Sequence, residues 1–267
     1  MSTPLLADQI AQFNRDGYLI LDLFDKEEME LLIHYSKNDQ ALLAKAHGRK
    51  DAQGGVSKLS IWDHPGDDLY GLFSRSARLV DACTQLLDCE IYHWHSKMML
   101  KEPRVGGAWE WHQDYGYWYG NACLFPDMIS ALIAVDGANK ENGCLQVIKG
   151  SHRLGRIEHG RSGEQTGANM ERVEEALKRL PLVYCEVQPG SVIFFHGNLL
   201  HRSDPNTSER PRWSLICCYN AKHNDPYKDA GHARYNKLVT VPDAAIKEYA
   251  RKAKDAEPAG VVRSTLA

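Results

Sequence analysis

Apolar residues in the first third of the chain recur mostly at the spacing of an amphipathic helix. Helices are predicted over residues 9–14, 26–46 and 69–87. Asp25 is suited to be the N-cap of the second helix, whose acidic first turn complements the helix dipole. A strand-like run occupies residues 18–24, and a loop rich in glycine and charge covers 48–55. Residues 1–89 are therefore predicted to be mainly helical.

From about residue 90 the pattern changes to short apolar or alternating runs between turn signals. Asn142-Gly143 and Pro189-Gly190 are strong turn dipeptides. Strands are predicted over residues 91–100, 109–111, 129–135, 145–148, 182–187, 191–195 and 214–219. One surface helix, 168–179, interrupts them. Many short strands joined by turns favour a sandwich, jelly roll or barrel over a doubly wound sheet.

The length of 267 residues suits one β-barrel or β-sandwich domain with additions. We therefore predict a single domain over 1–267, mainly β with flanking helices. Its jelly-roll core is expected in 90–220. A C-terminal extension in 221–267 is expected to contain a short helix near 244–254.

Charge and composition exclude some classes of function. A net charge of −3 and a pI near 6.5 argue against a general binder of nucleic acid or anionic membrane. No signal peptide is visible, and the longest apolar runs have the length of strands rather than membrane spans. The seven cysteines include no CxxC pair, as expected for reduced thiols. A cytoplasmic protein with a small-molecule partner is predicted, and the oligomeric state is left open.

The first candidate chemistry is a histidine and an aspartate two residues apart, His112 and Asp114, at the end of a strand-like run. Side chains at i and i+2 of a strand project to the same face, so the pair can present a nitrogen and an oxygen to one point. An HxD triplet alone is a weak signal. It gains weight from His201, which ends another apolar run directly before a turn.

Two histidines and one carboxylate leave half of an octahedron open, as non-haem Fe(II) oxygenases require. Zinc hydrolases use similar ligands around a tetrahedral site, so the ligand set alone does not separate the two classes. Arg212 favours the oxygenase. It follows a turn-rich segment after His201, and a hairpin there can return its guanidinium toward the metal to bind the distal carboxylate of 2-oxoglutarate.

Several motifs, spaced in order from about Phe13 to Asn220, resemble the phytanoyl-CoA dioxygenase family of Fe(II)/2-oxoglutarate oxygenases. They are Phe13-x-x-Asp16-Gly17-Tyr18, Trp111-His112-Gln113-Asp114, Glu141-Asn142-Gly143-Cys144-Leu145 with Gly150-Ser151-His152, Pro189-Gly190 before Phe194-Phe195-His196, and His201-x-Ser203 with Arg212. The resemblance implies the double-stranded β-helix fold of that family, a jelly roll of the cupin type.

The resemblance also implies roles for single residues. Iron would be bound by His112, Asp114 and His201, and 2-oxoglutarate by Arg212 and Ser203. The intact Asp114 matters because related halogenases replace this carboxylate with glycine or alanine.

Further cosubstrate contacts follow from the same resemblance. Lys58 and Met98 match family positions that line the cosubstrate pocket, whereas a family tryptophan falls near Leu132 here, so that contact is lost. The implied cofactors are Fe(II), 2-oxoglutarate as cosubstrate and O2, with ascorbate in a supporting role.

Residues around the HxD pair are candidates for the substrate pocket. They are Trp111, Tyr115, Tyr117, Trp118 and, for an anionic substrate, Lys97. Core packing is the expected role of about half of these aromatic residues. His196 lies five residues before His201, so it is expected to point away from it and to be structural, as is His152.

The predicted reaction is hydroxylation of a C–H bond of a small polar metabolite, with conversion of 2-oxoglutarate to succinate and CO2. The stretch 111–118 is similar to the aminoethylphosphonate hydroxylase branch, which points to a substrate of that type. The alternative is a non-oxidative, metal-binding cupin-like protein, an isomerase or a sensor, which would need neither Arg212 nor Ser203. A zinc hydrolase would need a general base beside the metal, and no HExxH or second carboxylate is placed for that role.

Overall fold

The computed structural model of the protein describes residues 4–232 and 234–256. The helices are α1 (Ala7–Asp16), α2 (Lys26–Asn38), α3 (Gln40–Lys45), α4 (Leu69–Arg75), α5 (Ala77–Leu87), α6 (Asp114–Trp118), α7 (Met170–Leu177) and α8 (Ala245–Ala256). Short 3₁₀ helices span Ser151–Leu154 and Lys222–Asn224.

The strands belong to three antiparallel groups. They are β1 (Tyr18–Asp22), β2 (His47–Lys50), β3 (Val56–Trp62), β4 (Ile91–Lys101), β5 (Trp109–His112), β6 (Met128–Ala134), β7 (Leu145–Ile148), β8 (His159–Ser162), β9 (Gln165–Ala168), β10 (Leu182–Cys185), β11 (Ser191–His196), β12 (His201–Ser203) and β13 (Arg212–Ala221). The large sheet has the order β1-β11-β6-β13-β4-β3-β2, the small sheet β10-β7-β12-β5, and β8 and β9 form a hairpin.

The two sheets face each other across an apolar core. Leu132, Phe195 and Ile216 come from the large sheet, and Leu145 and Val147 meet them from the small sheet. Packing of two antiparallel sheets in this way is typical of a jelly roll, so the predicted fold class is confirmed.

The helices cover the outer face of the large sheet. Phe73 and Leu79 of α4 and α5 pack against Ile133, Phe194 and Leu215. The central strands are thus buried on both faces, as the fully buried β6 illustrates. This explains why they read as continuous apolar runs rather than as alternating patterns.

The N-terminal part contains more strand than predicted. Of residues 48–55, expected to be a loop, 48–50 belong to β2 and 51–55 join β2 to β3. This hairpin extends the edge of the large sheet. The helix predicted over 26–46 breaks at Asp39, whose carboxylate accepts a hydrogen bond from the backbone N–H of Leu42 and so starts α3. The helix predicted over 69–87 likewise divides at Ser76.

No helix in the described ranges 4–232 and 234–256 has both the length and the apolar character that crossing a membrane requires.

Candidate active site

Three potential metal ligands come together between the two sheets and form what we call the metal cluster: His112, Asp114 and His201. His112 ends β5, Asp114 begins α6, and His201 begins β12. The antiparallel pairing of β12 with β5 sets His201 directly opposite His112, with ring centroids 4.0 Å apart. One potential ligand atom from each of the three side chains lies within 4.8 Å of the others, and all three residues are buried.

Hydrogen bonds fix both imidazole rings in a metal-binding orientation. The Nδ1 of His112 donates to the carbonyl oxygen of Glu110 at 2.8 Å, and the Nδ1 of His201 donates to that of Leu199 at 2.9 Å. Because a carbonyl only accepts, each proton is on Nδ1 and each Nε2 lone pair is free. Burial and the neighbouring His112 ring also lower the pKa of His201 to about 3, which keeps this imidazole neutral.

Asp114 presents one oxygen to both rings. Its Oδ2 accepts a 2.6 Å hydrogen bond from Ser130 Oγ. Its Oδ1 lies 3.7 Å from His112 Nε2, 3.9 Å from His201 Nε2 and 3.8 Å from the ammonium of Lys97. Burial opposes ionisation of this carboxyl, but the charge of Lys97 outweighs that effect, and the pKa of Asp114 lies well below the usual range. Two imidazoles that direct Nε2 toward one carboxylate are a donor set that fits Fe(II).

The prediction that the HxD pair lies on one continuous strand is wrong. The strand ends at His112 and a helix begins at Asp114, with Gln113 as its N-cap. The buried Gln113 side chain donates to the carbonyls of Gly155 and Asn198 and accepts from the N–H of Ile157. This sharp turn, anchored by Gln113, is what brings the carboxylate back beside the imidazole.

A cavity extends from the metal cluster toward Arg212 and Ser203. Apolar side chains line it, including Met99, Leu132, Leu145 and Phe195, together with Trp109, Lys97 and the two histidines. Arg212, at the start of β13, is buried at the far end. The Nε and Nη2 of Arg212 donate to the carbonyl oxygen of Gly143 at 3.1 and 2.9 Å, which fixes the plane of the guanidinium.

The position of Arg212 depends on the Asn142-Gly143 turn. Gly143 has φ +76°, and a Cβ there would lie 2.2 Å from the carbonyl oxygen of Asp204. A residue with a side chain would therefore displace the carbonyl that holds Arg212.

Lys101 is a second buried cation at this end of the cavity, and no local sequence motif marks it. Its Nζ donates to Ser203 Oγ at 2.8 Å and to the carbonyl of Asp204. On the ladder, Lys101 pairs with Arg212. Burial and the nearby Arg212 lower the pKa of Lys101 well below its usual range. Within the described part of the chain, neither Lys101 nor Arg212 forms an ion pair with a carboxylate. Two buried cations without a paired carboxylate create the electrostatic environment of an anion-binding site.

Two predicted cosubstrate residues lie elsewhere. Met98 is buried with the helices in the core on the outer face of the large sheet, whereas its neighbour Met99 lines the cavity. Lys58 is exposed and pairs with Leu100, which belongs to the same outer core. The predictions for Met98 and Lys58 are therefore wrong, because both side chains project from the face of the sheet opposite the metal cluster.

The aromatic candidates are divided between the core and the site. Trp111 projects from β5 away from His112, into a separate core with Ile148 and Leu200. Tyr115 and Trp118 are buried, and Tyr115 donates to the carbonyl of Cys123. These three predictions for the substrate pocket are corrected to packing roles.

The remaining predicted residues do lie beside the metal cluster. The Tyr117 ring is 5.5 Å from that of His112, and its hydroxyl donates to the carbonyl of Thr166. Lys97 lines the cavity beside Asp114. Trp109, two residues before Trp111, lines the cavity in its place.

His196 and His152 lie outside the metal cluster and face each other, with ring centroids 5.5 Å apart. His196 Nδ1 accepts a hydrogen bond from the N–H of Asn198, and His152 Nε2 donates to the carbonyl of Asn14. Both rings support backbone turns.

Comparison with known proteins adds independent information. The family model Phytanoyl-CoA dioxygenase (PhyH) matches residues 13–214. The L-proline trans-4-hydroxylase of Streptomyces griseoviridis is 29% identical over 249 residues, which cover 85% of this chain and 90% of that protein. The ectoine dioxygenase of Sphingopyxis alaskensis is 29% identical over 252 residues, covering 85% and 80%.

The fold is similar to solved structures as well. The crystal structure of EctD from S. alaskensis with 2-oxoglutarate and 5-hydroxyectoine has a TM-score of 0.76 and 26% identity, covering 90% of this chain and 88% of that one. The same protein with bound Fe gives the same values.

Proposed function

The chain belongs to the phytanoyl-CoA dioxygenase family, and from this premise we propose which of its residues bind iron, 2-oxoglutarate and substrate. The protein is an Fe(II)- and 2-oxoglutarate-dependent dioxygenase that hydroxylates a small molecule. Iron with its cosubstrate and O2 supplies the oxidising chemistry, and 2-oxoglutarate leaves as succinate and CO2. The protein supplies the geometry, the charges and a cavity lined mainly by apolar side chains.

Iron is assigned to His112 Nε2, His201 Nε2 and Asp114 Oδ1. This assignment carries the proposal, because these three atoms converge while every other polar atom of the same side chains is already bonded. The two Nδ1 protons are bound by backbone carbonyls, and Asp114 Oδ2 is held by Ser130. Such outer hydrogen bonds orient metal ligands and raise their basicity.

The distal carboxylate of 2-oxoglutarate is assigned to Arg212 and Ser203, with Lys101 behind them. Arg212 Nε and Nη2 donate to Gly143, and Nη1 donates to Ser214 Oγ at 3.3 Å. One N–H on Nη1 and one on Nη2 remain for bidentate carboxylate binding. Since Lys101 donates to Ser203 Oγ, the hydroxyl proton of Ser203 is free to donate toward the cavity. An incoming carboxylate would neutralise two buried cations for which the described residues supply no paired carboxylate.

Two variants test this assignment by calorimetric titration of 2-oxoglutarate into the Zn(II)-loaded protein. Ser203→Ala should weaken binding by about 0.5–1.5 kcal/mol, the value of one hydrogen bond. Lys101→Met should weaken it more, because it removes a charge and also the group that orients Ser203. Without 2-oxoglutarate, Lys101→Met should leave the Tm unchanged or higher, since it removes a buried charge that no carboxylate of the described residues pairs with.

The matched control is Lys58→Met, which removes an exposed lysine from the outer face of the same sheet. It should leave the 2-oxoglutarate affinity unchanged. Equal effects of the two lysine variants would contradict the assignment of Lys101.

For the substrate we propose a small polar metabolite that enters beside Trp109, Tyr117 and Lys97. Support comes from the relatives, which are named for L-proline and ectoine, and from the cation and aromatic rings next to the metal cluster. An aminoethylphosphonate-like substrate and a cytoplasmic location stay predictions of the sequence.

A succinate-release screen tests the function as a whole. The protein with Fe(II), ascorbate and 2-oxoglutarate would be supplied with L-proline, ectoine, 2-aminoethylphosphonate and further small metabolites. Substrate-dependent succinate, with a product heavier by one oxygen atom, is the expected result. Failure of the protein to bind 2-oxoglutarate in the presence of a divalent metal would overturn the proposal.

A further inference from the structure

Strand β4 contains a β-bulge beside the metal cluster. On the ladder with β13, Cys218 pairs with His95 and the next β13 residue pairs with His93, so Trp94 is an extra residue. Bulges redirect side chains and are frequent next to active sites. The ring of His232 stacks on Trp94 with centroids 3.7 Å apart and lies 5.4 Å from that of His95. Trp94 and His95 therefore project to the same side of the sheet.

That side is the interior of the jelly roll. Trp94 belongs to the core between the two sheets. The His95 ring lies 5.8 Å from that of Trp118, the last residue of the short helix that Asp114 begins. Lys97, two residues along the strand, lies on the same face and is 3.8 Å from Asp114.

Trp94 and His95 each hold a buried polar atom that the fold does not use. Trp94 is 0% exposed and His95 is 5% exposed. Neither Trp94 Nε1 nor His95 Nε2 has a hydrogen-bond partner among the residues that the structure describes. Buried polar atoms are nearly always paired, so two unpaired atoms on consecutive residues require an explanation. A bound ligand at this position provides one.

Three polar residues follow one another along β4. Lys101 is at the cosubstrate end of the cavity, Lys97 is beside Asp114, and His95 lies beyond them on the strand. At about 3.4 Å per residue, His95 is roughly 7 Å beyond Lys97 and about 20 Å from Lys101. A molecule of amino-acid size is therefore long enough to reach from Lys97, beside Asp114, to His95.

We propose that Trp94 and His95, together with Lys97, bind the carboxylate of a small organic acid, which is the substrate that this enzyme hydroxylates. This inference rests on the proposed function of the site and adds the chemical class of the substrate. Trp94 Nε1 is a donor only, and Lys97 is a cation. Burial lowers the pKa of His95 well below its usual range, so its ring is neutral.

His95 Nδ1 and His232 Nε2 are 3.3 Å apart, so one of them donates to the other, and the direction depends on the tautomers of the two rings. The proposed complex uses the arrangement in which His232 is the donor. The proton of His95 is then on Nε2, which donates to the ligand. Two N–H donors and an ammonium match the acceptor oxygens of a carboxylate.

The first test uses the full chain loaded with Zn(II) and 2-oxoglutarate, which prevents turnover, and labelled with ¹⁵N in its tryptophan indoles. L-proline, ectoine and other small carboxylic acids are the probes. L-prolinamide is the counterpart of L-proline that lacks the carboxylate, and 2-aminoethylphosphonate is the phosphonate comparison. Trp94→Phe assigns the Trp94 indole resonance. We expect at least one acid to shift it. The Trp213 indole, which already donates to Glu102 at 3.0 Å, should stay in place.

The second test measures the affinity of that acid by calorimetry. Trp94→Phe and His95→Leu should each weaken binding about tenfold, the effect of one hydrogen bond to a charged group. His95→Gln retains an N–H donor and should recover part of the loss. His93→Gln is the matched control, because His93 lies on the same strand but both of its ring nitrogens already contact Asp63 and Ser96. It should not change the affinity.

Three results would overturn the inference. One is that no acid shifts the Trp94 resonance, the second is that L-prolinamide acts as well as L-proline, and the third is a response confined to 2-aminoethylphosphonate. The affinity for 2-oxoglutarate, measured on the same samples, separates this inference from the proposed function. If 2-oxoglutarate itself does not bind, the proposed function fails. If it binds in every variant while no acid responds, only the carboxylate subsite fails.

Discussion

Replacement of Asp114 by alanine is expected to abolish substrate-dependent succinate formation while the protein stays folded. The substitution removes a metal ligand and the negative charge that partly offsets the divalent cation. His112 and His201 would still hold some metal weakly, because their rings are fixed by Glu110 and Leu199 rather than by Asp114. We therefore expect residual 2-oxoglutarate binding without turnover.

The fold should tolerate this change because Asp114 contributes charge rather than apolar packing. Circular dichroism on the same sample checks the fold. Asp127→Ala is the matched control, since it removes a carboxylate that pairs with His223 outside the cluster. Ser130→Ala should have an intermediate effect, because it frees Asp114 Oδ2 but leaves the ligand in place. Wild-type turnover by a folded Asp114→Ala protein would refute the metal assignment.

The metal cluster was predictable because its signals are chemical and local. An HxD pair, a later histidine and an arginine are recognisable in any fold that brings two strands together. The pairing that opposes His201 to His112 could not be predicted, since no feature of the β12 sequence sets its register against β5. The sequence also missed the break between His112 and Asp114, which depends on three hydrogen bonds of Gln113 with distant segments.

The errors at Met98 and Lys58 have one physical origin. A displacement of one residue along a strand moves a side chain to the opposite face of the sheet. The bulge at Trp94 adds such a displacement within β4 itself. The motif spacing therefore predicted the correct strand, but it did not predict which face of the sheet each side chain occupies. Met99 rather than Met98 lines the cavity.

The residues that position the cosubstrate-binding side chains could not be predicted from the sequence either. Lys101 reads as a solvated lysine at the end of an apolar run, and its burial follows only from the pairing of β4 with β13. Gly143 was recognised as a turn residue, but its contact with Arg212 spans 69 positions of the chain. Local patterns report turns and strand faces, whereas such contacts depend on the topology.

Arg212 should have the largest influence on the cosubstrate. Arg212→Met removes the buried guanidinium, and we expect 2-oxoglutarate binding to weaken by about 3 kcal/mol or more, over a hundredfold, since several charge-assisted hydrogen bonds are lost. Arg212→Lys keeps a charge but not the planar pair of donors, so it should weaken binding by at least about tenfold. Metal affinity should change little, because no ligand of the cluster contacts Arg212.

Both variants also leave the carbonyl of Gly143 without its donors, so their Tm is expected to fall. Titration of 2-oxoglutarate into the Zn(II)-loaded protein below that temperature separates binding from stability. Arg210→Lys is the matched control, because Arg210 is exposed two residues earlier on the same segment. If Arg212→Lys and Arg212→Met both bound 2-oxoglutarate as tightly as this control, the two buried cations would belong to the scaffold. The distal carboxylate would then have to bind elsewhere in the cavity.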